Sequence, residues 1–344
     1  MTRMTGFRHP TLGVVLLTWS REGGYAGTDA VPHAALDALP THGAVGTPFE
    51  SVVLHGAPWF RLRLEHDDGG FALLRGLRDR GYRDYIAMGL HIPSGTEPQP
   101  VSIAGHAPFP DDVGARLERV RSLLSLAIYS VYRTSQAMRV AEVYIGRESG
   151  PRVLAGEIQR GTTREVEAGI LFCDLRGFTA LSEAVGATAV VQVVNAVFEA
   201  VGIEAQARGG EILKFIGDAM LIVFPVASAA ARPSVAAALV ETARSSGARV
   251  AALATELGQP LAVGFGGHLG AVVQGNIGTP DRLDFTVMGP AMNLASRLEG
   301  LCRPLGVPAV FSGAVAEHAA GLEPAGTHAL RGIGAPVDVW RIGG

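Results

Sequence analysis

The stretch ILFCDLRGFTALSE, residues 170–183, decides how the second half of the chain is interpreted. Ile170 begins an apolar run of the kind that a buried strand shows, and the run stops at Asp174. The next residues, Arg-Gly-Phe-Thr, lead directly into a helical pattern. A carboxylate therefore stands at the point where a strand ends and a helix begins.

A second aspartate lies in a predicted hairpin. The segment EILKFIGDAMLIVFP, residues 211–225, predicts two strands joined by a turn that holds Gly217 and Asp218. Taken alone, each aspartate has an ordinary explanation, because aspartates cap helices and suit turns. Taken together, carboxylates at a strand end and a neighbouring turn are a common way to hold Mg²⁺ beside phosphates. Two such metals could flank an in-line displacement at phosphorus.

The segment LDFTVMGPAMNLASRLE, residues 283–299, predicts a strand followed by a helix. Asn293 and Arg297 are four residues apart, so they share one face of that helix. An amide and a guanidinium on one face could orient a ribose and neutralise a phosphoryl group. An exposed polar stripe on an ordinary helix explains the same pair.

These pieces, in this order, resemble the catalytic domain of class III adenylate and guanylate cyclases. The resemblance covers residues 166–344, and its last motif is LRGIGAPVDVWRI, residues 330–342. It implies an α/β (α+β) fold with a ferredoxin-like βαββαβ catalytic domain. It also implies a lyase reaction, in which the ribose 3′-hydroxyl of ATP attacks the α-phosphorus to form 3′,5′-cyclic AMP and pyrophosphate.

The same resemblance assigns roles around the reacting phosphates. Asp174 and Asp218 match the ligands of two Mg²⁺ or Mn²⁺ ions in each active site. Asn293 matches the residue that orients the ribose, and Arg297 matches the one that stabilises the α-phosphate. Arg331 falls where the family has a basic residue that contacts the terminal phosphates.

Other residues are assigned to the base and to the loop after the first strand. Lys214 matches the lysine that reads the purine edge, and Thr286 occupies its partner position. An ammonium donates to adenine N1, and a hydroxyl accepts from the exocyclic amine, so this pair favours ATP. The backbone amides of Gly177, Phe178 and Thr179 are placed near the phosphates, because the first N–H groups of a helix have no partner within it.

Several alternatives stay open at this stage. A guanylate cyclase or a cyclase of mixed specificity is one, since a threonine hydroxyl discriminates less sharply than a carboxylate. A catalytically silent nucleotide-binding regulator is another. A diguanylate cyclase is distant, because its Gly-Gly-Asp/Glu-Glu-Phe turn is absent from the sequence.

A long helix is predicted over residues 113–145. Mostly apolar residues recur there at alternating spacings of four and three and form a seam, which favours a parallel two-helix dimer. The seam consists of Val113, Leu117, Val120, Leu124, Ala127, Val131, Thr134, Met138, Ala141 and Ile145. A helix that packs on its own domain's sheet explains the same pattern. Leu123, Tyr129 and Tyr132 lie off this seam and are predicted to pack on the first domain. The resemblance also implies a head-to-tail homodimer, because in the family one chain supplies the metal carboxylates and its partner supplies the lysine, asparagine and arginine.

The first 112 residues predict a small α/β domain loosely similar to GAF or PAS sensor domains. Residues 59–64, 85–92 and 101–107 favour strands, and a short helix ends at Gly81. The first 30 residues give little periodic signal. A polar connector is predicted over residues 146–165. Whether the first domain binds a small molecule, a protein or nothing is left open.

Length and composition set the outer limits. The 344 residues predict two domains, and a formal charge of −3 with a pI near 6.4 argues against nucleic-acid binding. Two cysteines, Cys173 and Cys302, are too few for a disulfide framework. No segment is recognised as membrane-spanning, so a cytoplasmic location is expected.

Overall fold

The computed structural model of the chain describes residues 2–3, 7–9, 13–20, 24–31, 46–91, 98–147 and 149–343. The chain divides into two compact units, Met1–Ala137 and Met138–Gly344.

The N-terminal unit contains two separate sheets. One has four strands, in which β1, β2 and β4 each pair antiparallel with β3; the strands are β1 Thr2–Arg3, β2 Phe7–His9, β3 Gly13–Ser20 and β4 Gly24–Val31. These strands were not predicted from the sequence. The apolar run at residues 14–17 of β3 is short and does not alternate, so its pattern does not distinguish a strand from a helix.

The other sheet of this unit is small and antiparallel. Its strands are β5 Trp59–Arg63, β6 Asp84–Leu90 and β7 Gln99–Gly105, in the order β5-β6-β7, with helices α1 Glu50–Val53 and α2 Ala72–Asp79 beside them. The predicted strands and the predicted short helix are present here. All seven residues of β6 are buried, because β6 is the central strand. The similarity to GAF or PAS domains stays a prediction.

The predicted long helix is present as α3, Val113–Ile145. Part of the predicted seam faces its own sheet: Leu117 and Leu124 pack with Ile128 and Tyr129 on a cluster that contains Met88 and Leu90. The alternative of packing within the domain therefore holds for these residues.

Other positions of α3 stay exposed. Leu123 is 69% exposed and Leu126 is 64% exposed, so the prediction that Leu123 packs on the first domain is wrong. The reason is angular: Leu123 and Leu126 lie on the side of the helix away from Ile128. Tyr129 does pack as expected, whereas the side chain of Tyr132 lies outside the described residues.

The C-terminal unit is built on one large sheet. Its order is β14-β15-β13-β11-β8-β10-β9, and β12 pairs with the far part of β11. The strands are β8 Thr163–Leu175, β9 Glu211–Ile216, β10 Ala219–Pro225, β11 Val263–Thr279, β12 Arg282–Met288, β13 Ala309–Ser312, β14 Leu322–His328 and β15 Val337–Ile342.

Helices cover both faces of this sheet. They are α4 Ser149–Leu154, α5 Phe178–Val185, α6 Ala187–Ala207, α7 Arg232–Leu257, α8 Pro290–Leu305 and α9 Gly313–Ala316. The order β8-α6-β9-β10-α7-β11 has the βαββαβ pattern expected from the sequence. Four strands of this pattern are adjacent and mutually antiparallel in the order β11-β8-β10-β9.

Alternation along β8 assigns its side chains to the two faces. Leu171 and Cys173 belong to the core formed with α6 and α7, whereas Ala168 and Ile170 pack with Ala291 and Ala295 of α8. Because successive side chains of a strand point to opposite faces, the next even-numbered residues, up to position 174, lie on the α8 side.

The segment 146–165 differs from the predicted connector. It contains α4, and β8 already begins at Thr163. The polar residues at the start of β8 enter the sheet because the long strand β11 continues beside them, as far as the pair Gly275 and Thr163.

One described helix, α6, is long and apolar enough by composition to cross a membrane, a feature that the sequence analysis passed over. Its inner face, with Val197, Val201 and Ala205, packs in the core of the C-terminal unit. That packing accounts for the apolar composition of the inner face.

Candidate active site

The two aspartates predicted to bind metal lie side by side. Asp174 is at the end of β8, opposite Ala219, the first residue of β10. Asp218 occupies the hairpin turn just before β10, and its carbonyl oxygen accepts a hydrogen bond of 3.3 Å from the N–H of Leu175. The antiparallel register of β8 and β10 thus brings the strand end and the turn together.

These carboxylates repel each other. Burial raises the pKa of Asp174 above its ordinary value of 3.8, and the negative charge of Asp218 raises it further. No group of three or more His, Cys, Asp or Glu side chains suited to a metal occurs among the described residues. A divalent cation bound between Asp174 and Asp218 would relieve their repulsion. Mg²⁺ suits such a pair, because it binds one or two protein carboxylates and takes its other ligands from phosphate oxygens and water.

A third carboxyl group, Glu299, lies close to the pair. Burial raises its pKa to about 7, with further increases from Asp174 and Asp218 and an opposing effect from Arg176. The sequence analysis did not identify Glu299. Helical spacing could have indicated that Glu299 faces the sheet. It lies four residues after Ala295, which is fully buried against the sheet, and residues four apart share one face of a helix.

Glycine in the neighbouring strand makes room for these charged side chains. A Cβ atom at Gly264, which pairs with Asp174 in β11, would lie 2.5 Å from Oε1 of Glu299 and 3.4 Å from Nε of Arg176. The backbone N–H of Arg176 donates to the carbonyl of Ala262, at 2.9 Å. Arg176 thus begins the loop after β8 with its charge near the carboxyl group of Glu299.

The loop after β8 ends in a helix start with free donors. Gly177 has a φ of +73° and precedes α5 without a side-chain cap. The N–H groups of the first α5 residues, Phe178 and Thr179, have no acceptor within the helix. Such a helix start binds anions, although α5 is only eight residues long.

Helix α8 presents Asn293 and Arg297 on its outer side. Both side chains are exposed, whereas Ala291, Ala295 and Leu298 are buried on the inner side. Nε of Arg297 donates a hydrogen bond of 3.1 Å to the carbonyl oxygen of Arg331, which places the exposed turn at Arg331 beside it.

The predicted catalytic residues therefore form two separate groups. The carboxylates lie on the inner side of α8, next to Glu299, and the amide and guanidinium lie on its outer side. A helix with its side chains is about 10 Å across. Helix α8 therefore lies between the two groups of residues.

The predicted base-reading lysine has an acidic neighbour that the sequence analysis did not name. Nζ of Lys214, on β9, forms an ion pair with Oδ2 of Asp284, on β12. Thr286, the expected partner position, lies two residues further along β12, opposite Gly275 of β11. Lys214 and Asp284 line a cavity of about 620 Å³, together with Tyr144.

Comparisons with known proteins show what the C-terminal unit is similar to. Residues 162–310 match the family described as the adenylate and guanylate cyclase catalytic domain; Arg331 lies beyond the matched residues. An adenylate cyclase of Anabaena cylindrica is 34% identical over 151 residues, which is 44% of this chain and 30% of that protein. Adenylate cyclase 1 of Rhizobium meliloti is 28% identical over 251 residues, 71% of this chain and 36% of that protein.

A solved structure of a bacterial light-regulated adenylyl cyclase is also similar to this chain. It is 25% identical with a TM-score of 0.51, and the match covers 67% of this chain and 65% of that one. The chain spans about a third of the length of the two curated relatives. Residues 162–310 of this chain are therefore similar to the adenylate and guanylate cyclase catalytic domain.

Proposed function

We propose that the chain is an adenylate cyclase, which converts ATP into 3′,5′-cyclic AMP and pyrophosphate at sites shared between two copies of itself. The observation that carries the proposal is the adjacency of Asp174 and Asp218 in a domain of this family. The curated relatives named as adenylate cyclases support the choice of ATP.

Asp174 and Asp218 are the residues that would hold two Mg²⁺ or Mn²⁺ ions. Bound there, these ions would supply charge neutralisation of the triphosphate and would acidify the ribose 3′-hydroxyl. The repulsion that raises the pKa of Asp174 supports this assignment, because a cation between the carboxylates removes it.

The remaining residues bind and orient the nucleotide. Asn293 holds the ribose so that its 3′-hydroxyl faces the α-phosphorus, and Arg297 neutralises charge on the α-phosphate in the transition state. Arg331 and the amides of Phe178 and Thr179 contact the terminal phosphates. At the other end of the nucleotide, Lys214 and Thr286 read the purine.

The separation of the two groups by α8 supports a shared site. If each chain offers its carboxylates to the nucleotide held by its partner, a head-to-tail homodimer completes two equivalent sites. Helix α3 supports the same assembly, because Leu123 and Leu126 expose apolar surface on the side away from their own sheet. The N-terminal unit would regulate the assembly.

The first test is product formation. The purified chain is incubated with ATP or GTP and Mn²⁺, and cyclic AMP and cyclic GMP are measured. Cyclic AMP as the main product supports the proposal, whereas cyclic GMP as the main product favours a guanylate cyclase. Nucleotide binding without either product favours a silent regulator.

The same assay tests the metal carboxylates. Asp174→Ala and Asp218→Ala are each expected to reduce turnover by at least about 10³-fold, since a two-metal site loses its ligands. The matched control is Asp281→Ala, which removes an exposed carboxylate from the β11–β12 turn. Turnover near that of the wild type in Asp174→Ala contradicts the assignment.

A further inference from the structure

We propose that Asp284 is a positioning residue, which holds the ammonium group of Lys214 toward the purine and so sharpens the preference for ATP over GTP. The inference rests on the proposed function, in which Lys214 reads the base. It adds a residue to which the sequence analysis and the family resemblance assigned no role.

The register of β12 places Asp284 on the same face as Thr286. Phe285 and Val287 are buried, at 8% and 1% exposure, and pack inward. Because strand side chains alternate, Asp284 and Thr286 both point away from that core. The carboxylate and the predicted base-contacting hydroxyl are therefore neighbours on one surface.

Lys214 pairs with this carboxylate rather than with the hydroxyl. Nζ of Lys214 contacts Oδ2 of Asp284, although the two residues are 70 positions apart in the chain. A hydroxyl can accept a hydrogen bond, but it cannot balance a full positive charge. Asp284 supplies the negative charge that Thr286 lacks.

The strand that carries Lys214 is itself held in place. Phe215, the next residue, stacks on Phe198 of α6 with ring centres 4.7 Å apart and an angle of 21° between the planes. The backbone at Lys214 is thus anchored on one side. Asp284 limits the remaining freedom of the long side chain.

The ion pair has a positional role rather than a large effect on stability. The side chains of Lys214 and Asp284 are 44% and 51% exposed, and exposed ion pairs contribute little to stability. The pair also lines the 620 Å³ cavity, so a ligand can reach the ammonium group. An ammonium has three donors, which lets Lys214 keep Asp284 and still donate to a base.

This geometry explains how Asp284 affects base choice. Adenine offers a free acceptor at N1, whereas guanine carries a proton at N1 and an acceptor at O6. A lysine held in one direction can serve one of these patterns better than the other. Without Asp284, the flexible ammonium can follow either acceptor, so binding of ATP weakens and discrimination falls.

The test measures binding and turnover in Asp284→Asn. Binding uses 3′-deoxy-ATP and 3′-deoxy-GTP, which lack the attacking hydroxyl, with Mn²⁺ in a titration calorimeter. The Kd of 3′-deoxy-ATP is expected to rise by about 3–10-fold, because the pair strengthens once a bound base excludes water. The ATP-to-GTP ratio is expected to fall by a similar factor, and the change in turnover is expected in KM rather than in kcat.

The matched control is Asp281→Asn, which makes the same change of charge at the turn of the same hairpin. It is expected to leave both binding constants within about twofold of the wild type, as exposed substitutions usually do. An Asp284→Asn variant that behaves like Asp281→Asn overturns the inference.

A double-mutant cycle tests whether Asp284 acts through Lys214. In the Lys214→Ala background, Asp284→Asn is expected to have little further effect on the Kd of 3′-deoxy-ATP. An equal effect in both backgrounds means that Asp284 contacts the base itself, and overturns the positioning role.

Failure of the proposed function has a different signature. A wild-type chain that binds 3′-deoxy-ATP but makes no cyclic nucleotide contradicts the cyclase proposal, while the binding cycle still decides the role of Asp284. A wild-type chain that binds neither analogue overturns both.

Discussion

At the scale of single residues, partly buried carboxyl groups set the electrostatics of the site. Asp174 and Glu299 both have raised pKa values, with burial as the first cause. Glu299 has the larger shift, to about 7, and it points toward Gly264 rather than toward solvent. Its carboxyl group therefore costs stability when it is charged and no cation is bound nearby.

This cost predicts a change in pH dependence in Glu299→Gln. Between pH values of about 4.5 and 7 the folded chain binds this proton more tightly than the unfolded chain, so stability falls as pH rises through that window. Glutamine has no proton to lose. At pH 8, in the presence of EDTA, Glu299→Gln is expected to raise Tm by roughly 2–4 °C over the wild type, with little difference at pH 5.

Thermal unfolding followed by circular dichroism at the two pH values measures this effect. Glu256→Gln, an exposed position on α7, is the matched control and is expected to leave the pH dependence unchanged. A Glu299→Gln variant whose Tm runs parallel to that of the wild type from pH 5 to pH 8 contradicts the assigned pKa.

At the scale of elements, the close approach of α8 to β11 fixes the position of every residue that α8 carries. Gly266 lies under α8, and a Cβ atom there would meet the carbonyl oxygen of Ala295 at 2.1 Å and the backbone nitrogen of Glu299 at 2.2 Å. These contacts involve backbone, so no side chain can move aside. Glycine at position 266 is what lets the helix lie flat on the sheet.

Gly266→Ala is therefore expected to destabilise the C-terminal unit by roughly 1–3 kcal/mol and to lower turnover, because α8 must shift and carries Asn293 and Arg297 with it. Gly247→Ala is the matched control. Gly247 lies within helix α7, and a Cβ atom there meets nothing within 4 Å. That change is expected to raise stability by up to about 1 kcal/mol.

For both variants, urea unfolding measures the free energy of unfolding and the cyclic AMP assay measures turnover. Equal stability in Gly266→Ala and the wild type is incompatible with the close packing of α8 on β11.

At the scale of the whole molecule, the division of the site by α8 predicts complementation between inactive chains. Asp218→Ala removes a side chain from the carboxylate group, and Asn293→Ala removes one from the group on the outer side of α8. A mixed dimer of these chains has one site with both defects and one intact site. If half of the dimers are mixed, activity is expected to return to about a quarter of the wild-type value.

The control is a mixture of two chains that each lack one of the metal carboxylates. Asp174→Ala mixed with Asp218→Ala is expected to remain inactive, because every shared site then lacks one metal carboxylate. The variants are mixed in denaturant, refolded together and assayed for cyclic AMP. Absence of recovery in the first mixture, with both chains folded and dimeric by sedimentation, contradicts the shared site.

Local features of the catalytic half could be predicted from the sequence. Asp174 at a strand end, Asp218 in a hairpin turn and a helix bearing Asn293 and Arg297 all occur where expected. These features follow from periodicity and turn chemistry over a few residues, which a short segment encodes on its own. The strands of the first 31 residues escaped prediction because that local signal is weak there.

Sequence alone thus determined which residues stand at the strand end, in the turn and on the outer face of α8. Tertiary structure alone decided that Lys214 meets Asp284, that Glu299 turns toward the carboxylate pair, and that α8 separates the two groups of residues. Such relationships join segments far apart in the chain, 70 positions in the case of the ion pair. They depend on how sheet and helix pack together, which no local pattern records.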